Sequence, residues 1–245
     1  MIFAVISDIH ANLEALTAVL VRCGKEQVEK IYCLGDIIGY GPNPRECLLL
    51  AQRNCQRIVR GNHDHMVSDI EKHAQFIQSE ALISLRYAKK LLTANDQMLL
   101  NSLPFIQSFD DFTLAHSNIF YPELWTYALH PANYQSQLPY LKTRIGVIGH
   151  THKPFAYSSI DGELDFDHET GWQKIDPKQT HIFNVGSVGQ PRNGLAAASV
   201  LIFNYNPPDI SYQFILVPYK IDTTAQKIIA AGLPERLAER LYTAI

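Results

Sequence analysis

Ile2 to Ile6 form an unbroken apolar run, the pattern of a strand covered on both faces. Leu13, Leu16, Val19 and Leu20 then recur at helical spacing, and Gly24 sits where a helix should stop. The pattern predicts a second strand over Lys30 to Leu34, a Gly/Pro-rich loop at 39–44, a short helix to about Arg53 and a third strand over Arg57 to Val59. Residues 66–101 contain neither Gly nor Pro, and Leu82, Leu85 and Leu92 carry helical periodicity. Thr93 with Asp96 has the form of a capping box opening a last short helix, which Pro104 closes.

Two further strands are predicted at Phe112 to Ala115 and Arg144 to Ile148. Beyond Pro154 strand-like runs dominate: Phe155 to Ile160, Thr180 to Val185, Ala197 to Tyr205 and Ser211 to Pro218. The tail returns to helix over about 223–243, with Pro234 suited to a first turn and Leu233, Leu237 and Leu241 on one core-facing stripe. No repeat, low-complexity stretch or linker intervenes. The pattern predicts one α/β domain over residues 1–245, its second half mostly β.

Composition narrows the class. With 47% hydrophobic and 18% charged residues, the 245-residue chain is globular and able to bury about 70% of its unfolded surface. Lys plus Arg number 21 against 24 Asp plus Glu, a net charge of −3 that argues against coating nucleic acid or an anionic membrane. Cys23, Cys33, Cys47 and Cys55 form no Cys-x-x-Cys pair and are expected to be buried reduced thiols. The start lacks the basic region and cleavage site of a signal peptide, and no apolar stretch reaches the roughly 18 residues of a membrane helix. A cytoplasmic protein is expected.

The chemistry lies where strands end. Asp8-Ile9-His10, Gly35-Asp36, Gly61-Asn62-His63-Asp64, His116, Gly149-His150-Thr151-His152 and Asn184-Val185-Gly186-Ser187 each follow an apolar run. Ligands of open α/β sheets bind beyond the carboxyl ends of the strands. Five of these ends deliver three Asp, one Asn and five His to one region. Carboxylate, imidazole and amide oxygen without sulfur suit Mn, Fe, Co, Ni or Zn, and do not match a closed structural zinc site. Asp8, His10, Asp36, Asn62, His116, His150 and His152 are too many for one ion. They fit two ions roughly 3.5–4 Å apart that share a carboxylate.

Taken together, these motifs resemble in order and spacing the five signatures of the calcineurin-like metallophosphoesterases, across Met1 to about Ser187. The loop Gly35-Asp36-Ile37-Ile38-Gly39-Tyr40-Gly41-Pro42 is most similar to that of the small prokaryotic phosphodiesterases. The resemblance implies a four-layer α/β/β/α sandwich, two mixed sheets flanked by helices. It implies that Asp8, His10 and His152 hold one metal, that Asn62, His116 and His150 hold a second, and that Asp36 bridges. His63 would be a catalytic group at the scissile phosphate, protonating the leaving alkoxide or stabilising phosphoryl charge, with Asp64 orienting its imidazole. Two divalent ions bring a shared water close to neutral ionisation, so in-line attack by hydroxide on a phosphate ester is the implied reaction.

The match departs from the wider superfamily in places. Phosphatases and dinucleotide tetraphosphatases carry Asp-Arg-Gly where this chain has Gly39, Tyr40 and Gly41, so an expected phosphate-clamping arginine is absent. Tyr40 would either stack on an aromatic substrate group or pack the loop. Ser117 follows His116 where the family has Gly, and Ala11 replaces another frequent Gly. Arg192 is the candidate phosphate contact, with turn capping as its alternative, and Asn12 either reaches the site or caps a helix. Tyr121, Trp125 and Tyr127 form either a cleft wall or an apolar plug. His65 trails the third signature, and His73, His130, His168 and His181 read as surface or packing residues.

A phosphodiesterase acting on a small or nucleotide-like ester is therefore expected. A phosphomonoesterase or dinucleotide pyrophosphohydrolase is the enzymatic alternative, and a partner-binding scaffold with an eroded site the non-enzymatic one.

Overall fold

The computed structural model describes residues 1–164 and 171–245. The chain begins with β1 (Ile2–Ile6), α1 (Leu13–Lys25), β2 (Lys30–Cys33), α2 (Pro44–Asn54) and β3 (Cys55–Ile58). A helical stretch follows: α3 (Asn62–Met66), α4 (Ile70–His73), α5 (Ser79–Leu91) and α6 (Ala94–Ser102). Next come β4 (Ile106–Phe109), β5 (Phe112–Ala115), α7 (Pro131–Gln135), β6 (Ile145–Ile148), β7 (Pro154–Ser158), β8 (Gly162–Leu164) and β9 (Gln173–Lys174). The chain ends with β10 (His181–Val185), β11 (Ala198–Asn206), β12 (Asp209–Val217), α8 (Ile221–Ala230) and α9 (Glu235–Thr243).

Two six-stranded sheets form, in the orders β3-β2-β1-β11-β12-β9 and β4-β5-β6-β10-β7-β8. Both are mixed: β1 runs parallel to β2 and antiparallel to β11, and β10 runs parallel to β6 and antiparallel to β7. The side-chain period of two explains how one strand serves two cores. Phe3 and Val5 of β1 face the other sheet, while Ala4 and Ile6 face α1, α2, α5 and α6. On β10, Phe183 and Val185 join the inter-sheet layer, and Ile182 meets Tyr134 of α7 on the far side. The expected four-layer α/β/β/α arrangement is the one observed.

Aromatic rings fill the space between the sheets. Phe3 lies 5.2 Å from Phe203, 4.9 Å from Phe112 and 5.2 Å from Tyr32, measured between ring centroids. Phe183 continues the layer at 5.5 Å from Phe203 and 4.6 Å from Tyr212. All four cysteines are reduced, three of them buried and Cys55 half-buried. No helix among the described residues is long and apolar enough to cross a membrane.

Several elements differ from the sequence reading. The 66–101 stretch is broken by single turns of 3₁₀ helix at Val67–Asp69 and Ala74–Phe76, and regular helix resumes only at α5. The predicted capping box is present: Thr93 Oγ1 accepts from the Asp96 amide at 3.1 Å, and Asp96 Oδ2 accepts from the Thr93 amide at 2.8 Å. The tail is two helices, not one over 223–243, because Gly232 at φ +68° turns the chain between α8 and α9. Pro234 precedes α9 instead of lying in its first turn, whereas Leu233, Leu237 and Leu241 are buried together as expected. Strands β4, β8 and β9 are short and have no counterpart in the sequence reading.

Replacing Phe3 by Ala would leave a cavity in the inter-sheet layer. We expect a loss of about 3–5 kcal/mol in a urea unfolding curve.

Candidate metal centre

The first sheet brings Asp8 and His10 after β1, Asp36 after β2, and Asn62 and His63 at the start of α3 beyond β3. The second sheet brings His116 after β5 and His150 and His152 after β6. The two sets meet. Asp8, His10 and His152 form one group of potential ligand atoms, and Asp36, His116 and His150 another; His10, Asp36 and His63 overlap both. Asn62 Oδ1 lies 3.2 Å from His116 Nε2, so every residue expected to hold a metal is in this cluster.

Backbone atoms aim the side chains. His10 Nδ1 donates to the Ile38 carbonyl at 3.1 Å, His116 Nδ1 to Leu34 at 2.8 Å, and His152 Nδ1 to Gln190 at 2.5 Å. His150 is held the other way round, Nε2 donating to the Trp125 carbonyl at 2.9 Å. A carbonyl only accepts, so each ring carries its outer proton there and turns its second nitrogen inward. His10 Nε2 and His152 Nε2 consequently stand 3.0 Å apart, and His116 Nε2 and His150 Nδ1 stand 3.1 Å apart. The carboxylates follow the same rule. Asp8 Oδ2 accepts from the His150 amide and Asp36 Oδ1 from the His63 amide, both at 2.9 Å. Asp8 Oδ1 is left buried with no partner, 3.2 Å from His152 Nε2. Asp36 Oδ2 lies between the two halves, 3.5 Å from His116 Nε2 and 3.7 Å from His10 Nε2.

Inward lone pairs and an unsatisfied carboxylate oxygen in a dry site are costly without a cation between them. The donor set therefore fits divalent ions. Its electrostatics agree. Burial works to raise Asp8, but His152, His10 and His116 hold its carboxyl well below the usual range. Burial opposes protonation of His116, yet Asp36 and Asp8 push it up to about 9. His150 is pushed down to about 3 by burial and by His116, and His152 to about 3 by burial and by Arg192. One protonated ring thus stands between the carboxylates where metal charge would otherwise lie.

The loops that carry the ligands are strained and interlocked. Eight of the eleven non-glycine residues with positive φ among the described residues are in them: Asp8, His10, Ala11, Asp36, Tyr40, Trp125, His150 and His152. Each such conformation costs roughly 1–2 kcal/mol, a pattern concentrated at functional sites. Bonds between loops compensate: His10 N donates to Asp36 O at 2.9 Å, Ala11 N to Ile37 O at 2.8 Å, and Gly189 N to Asp8 O at 2.9 Å. The segment after β10 supplies support, not ligands. Asn184 Nδ2 donates to the Gly149 carbonyl at 2.7 Å and Ser187 Oγ to the Asp8 carbonyl at 2.9 Å.

Two expected roles are corrected. Asp64 does not orient His63: its Oδ1 accepts from the Ile37 amide at 3.0 Å and its Oδ2 from Gly61 at 3.2 Å, tying the second loop to the third. His63 Nδ1 is buried with no partner, and Nε2 lies 4.0 Å from Asp36 Oδ2. Asn12 does not reach the cleft, because Oδ1 caps α1 at the Ala15 amide and Nδ2 donates to the Gly189 carbonyl at 2.9 Å.

The remaining candidates fall into place around a cleft of about 290 Å³ lined by Tyr40, His63, Tyr127 and Arg192. The Tyr40 ring contacts His10 at 4.6 Å and His63 at 4.7 Å, and Tyr127 stacks on His150 at 4.2 Å. Trp125 packs on His116, whereas Tyr121 is exposed against Phe120. Ser117 has no positive φ and leaves His116 in place. His65 bonds Arg60 and lies near Phe105, His181 is buried beside Phe183, His73 rests near His65, and His130 precedes α7. His168 lies outside the described residues. Arg240 of α9 also lines the cleft, a contribution no spacing in the sequence announces. The Trp125 and Gln190 carbonyls are equally silent there, being backbone atoms.

A Cβ on Gly61 would lie 2.1 Å from Asp36 Oδ1 and 2.3 Å from the Asp36 amide. Gly61→Ala is therefore expected to lower bound metal at least tenfold, measured by equilibrium dialysis with elemental analysis.

The comparisons agree with this geometry. The family model for the calcineurin-like phosphoesterase superfamily domain matches residues 1–206. An uncharacterized protein of Methanocaldococcus jannaschii is 38% identical over 244 residues, covering 98% of this chain and 96% of its own. The crystal structure of a metallophosphoesterase from Sphaerobacter thermophilus superposes with a TM-score of 0.87 at 32% identity, covering 100% of both chains. A hypothetical protein from Pyrococcus horikoshii shares the fold at a TM-score of 0.80 and 20% identity, covering 100% of this chain and 98% of its own. The chain belongs to the calcineurin-like phosphoesterase superfamily.

Proposed function

We propose that the protein is a dinuclear-metal phosphodiesterase acting on a small phosphate ester. The observation that carries this reading is the inward convergence of imidazole nitrogens and two carboxylates in two overlapping groups, joined at Asp36. Asp8, His10 and His152 would hold one divalent ion, and Asn62, His116 and His150 the other, with Asp36 between them. Mn, Fe, Co, Ni and Zn all suit these donors. Such ions would supply positive charge against the phosphoryl oxygens and a water ionised near neutral pH.

His63 is placed to act on the ester itself. It sits beside Asp36 yet outside the carbonyl-locked set, and its ring has no structural bond to keep. Burial pushes it down to about 3, and an anionic phosphate in the cleft would counter that effect. It would donate to a phosphoryl oxygen or hand a proton to the departing alkoxide. Two features favour a diester. The loop position where a clamping arginine would grip a phosphate dianion holds Tyr40, and each half of the cluster has its own aromatic neighbour, Tyr40 at His10 and Tyr127 at His150. Both ester substituents thus find an apolar surface.

The deciding assay compares bis(p-nitrophenyl) phosphate with p-nitrophenyl phosphate under Mn, Ni, Co, Mg and Zn in turn. Faster turnover of the diester is expected; faster turnover of the monoester would reassign the protein as a phosphatase. Asp36→Asn should lower metal content and rate together. His63→Ala should keep its metal and lose about 10²–10⁴-fold in kcat, and loss of metal in that variant would contradict the role given to His63.

A further inference from the structure

Two guanidinium groups share the Tyr40 side of the cleft. Arg192 follows Gln190, whose carbonyl holds His152. One terminal nitrogen of Arg192 donates to Gln190 Oε1 at 2.9 Å, its guanidinium carbon lies 5.9 Å from the Tyr40 ring centre, and its Nε is buried without a partner. Arg240 arrives from α9, its Nε donating to the Ile245 carbonyl at 2.9 Å. Neither arginine has an ion-pair partner among the described residues. Glu80 faces Arg236 at 3.6 Å instead. Burial and the Arg192 charge both push Arg240 below its ordinary value.

Two like charges held together beside a partly dry cleft repel each other, and an anion between them reverses the sign of the interaction. The ester phosphate does not need this pair, since it would lie against the metal cluster and His63. The Tyr40 ring, which touches His10, His63 and Arg192, spans the step from that position to the arginines. Planar guanidinium forks match phosphate oxygens in pairs. We propose that Arg192 and Arg240 form a second anion subsite, so that the substrate carries a second phosphate besides the ester phosphate at the metal centre. The substrate class is a small phosphorylated diester of nucleotide type, and Arg240 is its specificity-determining residue. The cleft volume of about 290 Å³ is at the lower end for small-molecule sites, in keeping with a compact ligand. The inference rests on the proposed function for what occupies the metal centre.

The test uses two chromogenic esters that differ only in the second phosphate: thymidine 5′-(p-nitrophenyl phosphate) and its 3′-phosphorylated form. The wild-type protein should prefer the latter in kcat/KM by about tenfold or more, the scale of a charge-assisted hydrogen bond. Arg240→Ala should bring that ratio close to one. A wild-type ratio near one, or an unchanged ratio in the variant, overturns the subsite. Calorimetric binding of thymidine 3′,5′-bisphosphate and thymidine 5′-monophosphate to the metal-loaded protein separates this claim from the phosphodiesterase reading. Tighter binding of the bisphosphate that depends on Arg240, in a protein that cleaves neither ester, keeps the subsite and removes the phosphodiesterase. Equal binding of the two nucleotides removes the subsite.

Discussion

The two sheets touch through a layer of aromatic rings, and the metal-binding end depends on the distance at which that layer holds them. Asp8, His10, Asp36 and Asn62 belong to one sheet, and His116, His150 and His152 to the other. Phe3 and Phe112 are in edge contact at 4.9 Å, and a few residues further along the same strands the backbones are joined through Asp8 Oδ2 and the His150 amide. Interiors packed at crystal density transmit small shifts. A change in the ring layer would therefore reach the ligands as a change in spacing.

Rigid backbone, more than side-chain contact, gives the centre its shape. Four imidazoles are pinned by carbonyls from four different loops, and the loops are pinned to one another by amide hydrogen bonds. The left-handed residues within them are tolerated because these bonds over-determine the path. Asp64 belongs to the same scheme, since its carboxylate takes up amides from the loops on either side of it. The C-terminal helices complete the enclosure: Thr224 Oγ1 donates to Asn12 Oδ1 at 3.0 Å, and α8 and α9 pack over Tyr40.

Most of this was readable along the chain, for physical reasons. A strand buried on both faces leaves an uninterrupted apolar run, and a polar residue at its end has no packing reason to be there. That contrast made Asp8, Asp36, Asn62, His116, His150 and His152 visible as a set. Edge strands carry no such contrast: β4 alternates exposed and half-buried positions, and β9 has two residues. The 66–78 region lacks Gly and Pro, yet its 3₁₀ breaks come from tertiary packing that periodicity does not encode. Arg240 and Asn12 show the limit in opposite directions. The first enters the cleft only because the chain turns at Gly232, and the second is drawn away from it by a cap and the Gly189 carbonyl.

The unpartnered Asp8 oxygen has a consequence beyond chemistry at phosphorus. A buried oxygen without a donor weakens the folded chain, and an ion that binds only the folded form shifts the folding equilibrium toward it. The abundance of intact molecules would then track divalent-ion supply, making the centre a determinant of the protein's lifetime as well as of its turnover.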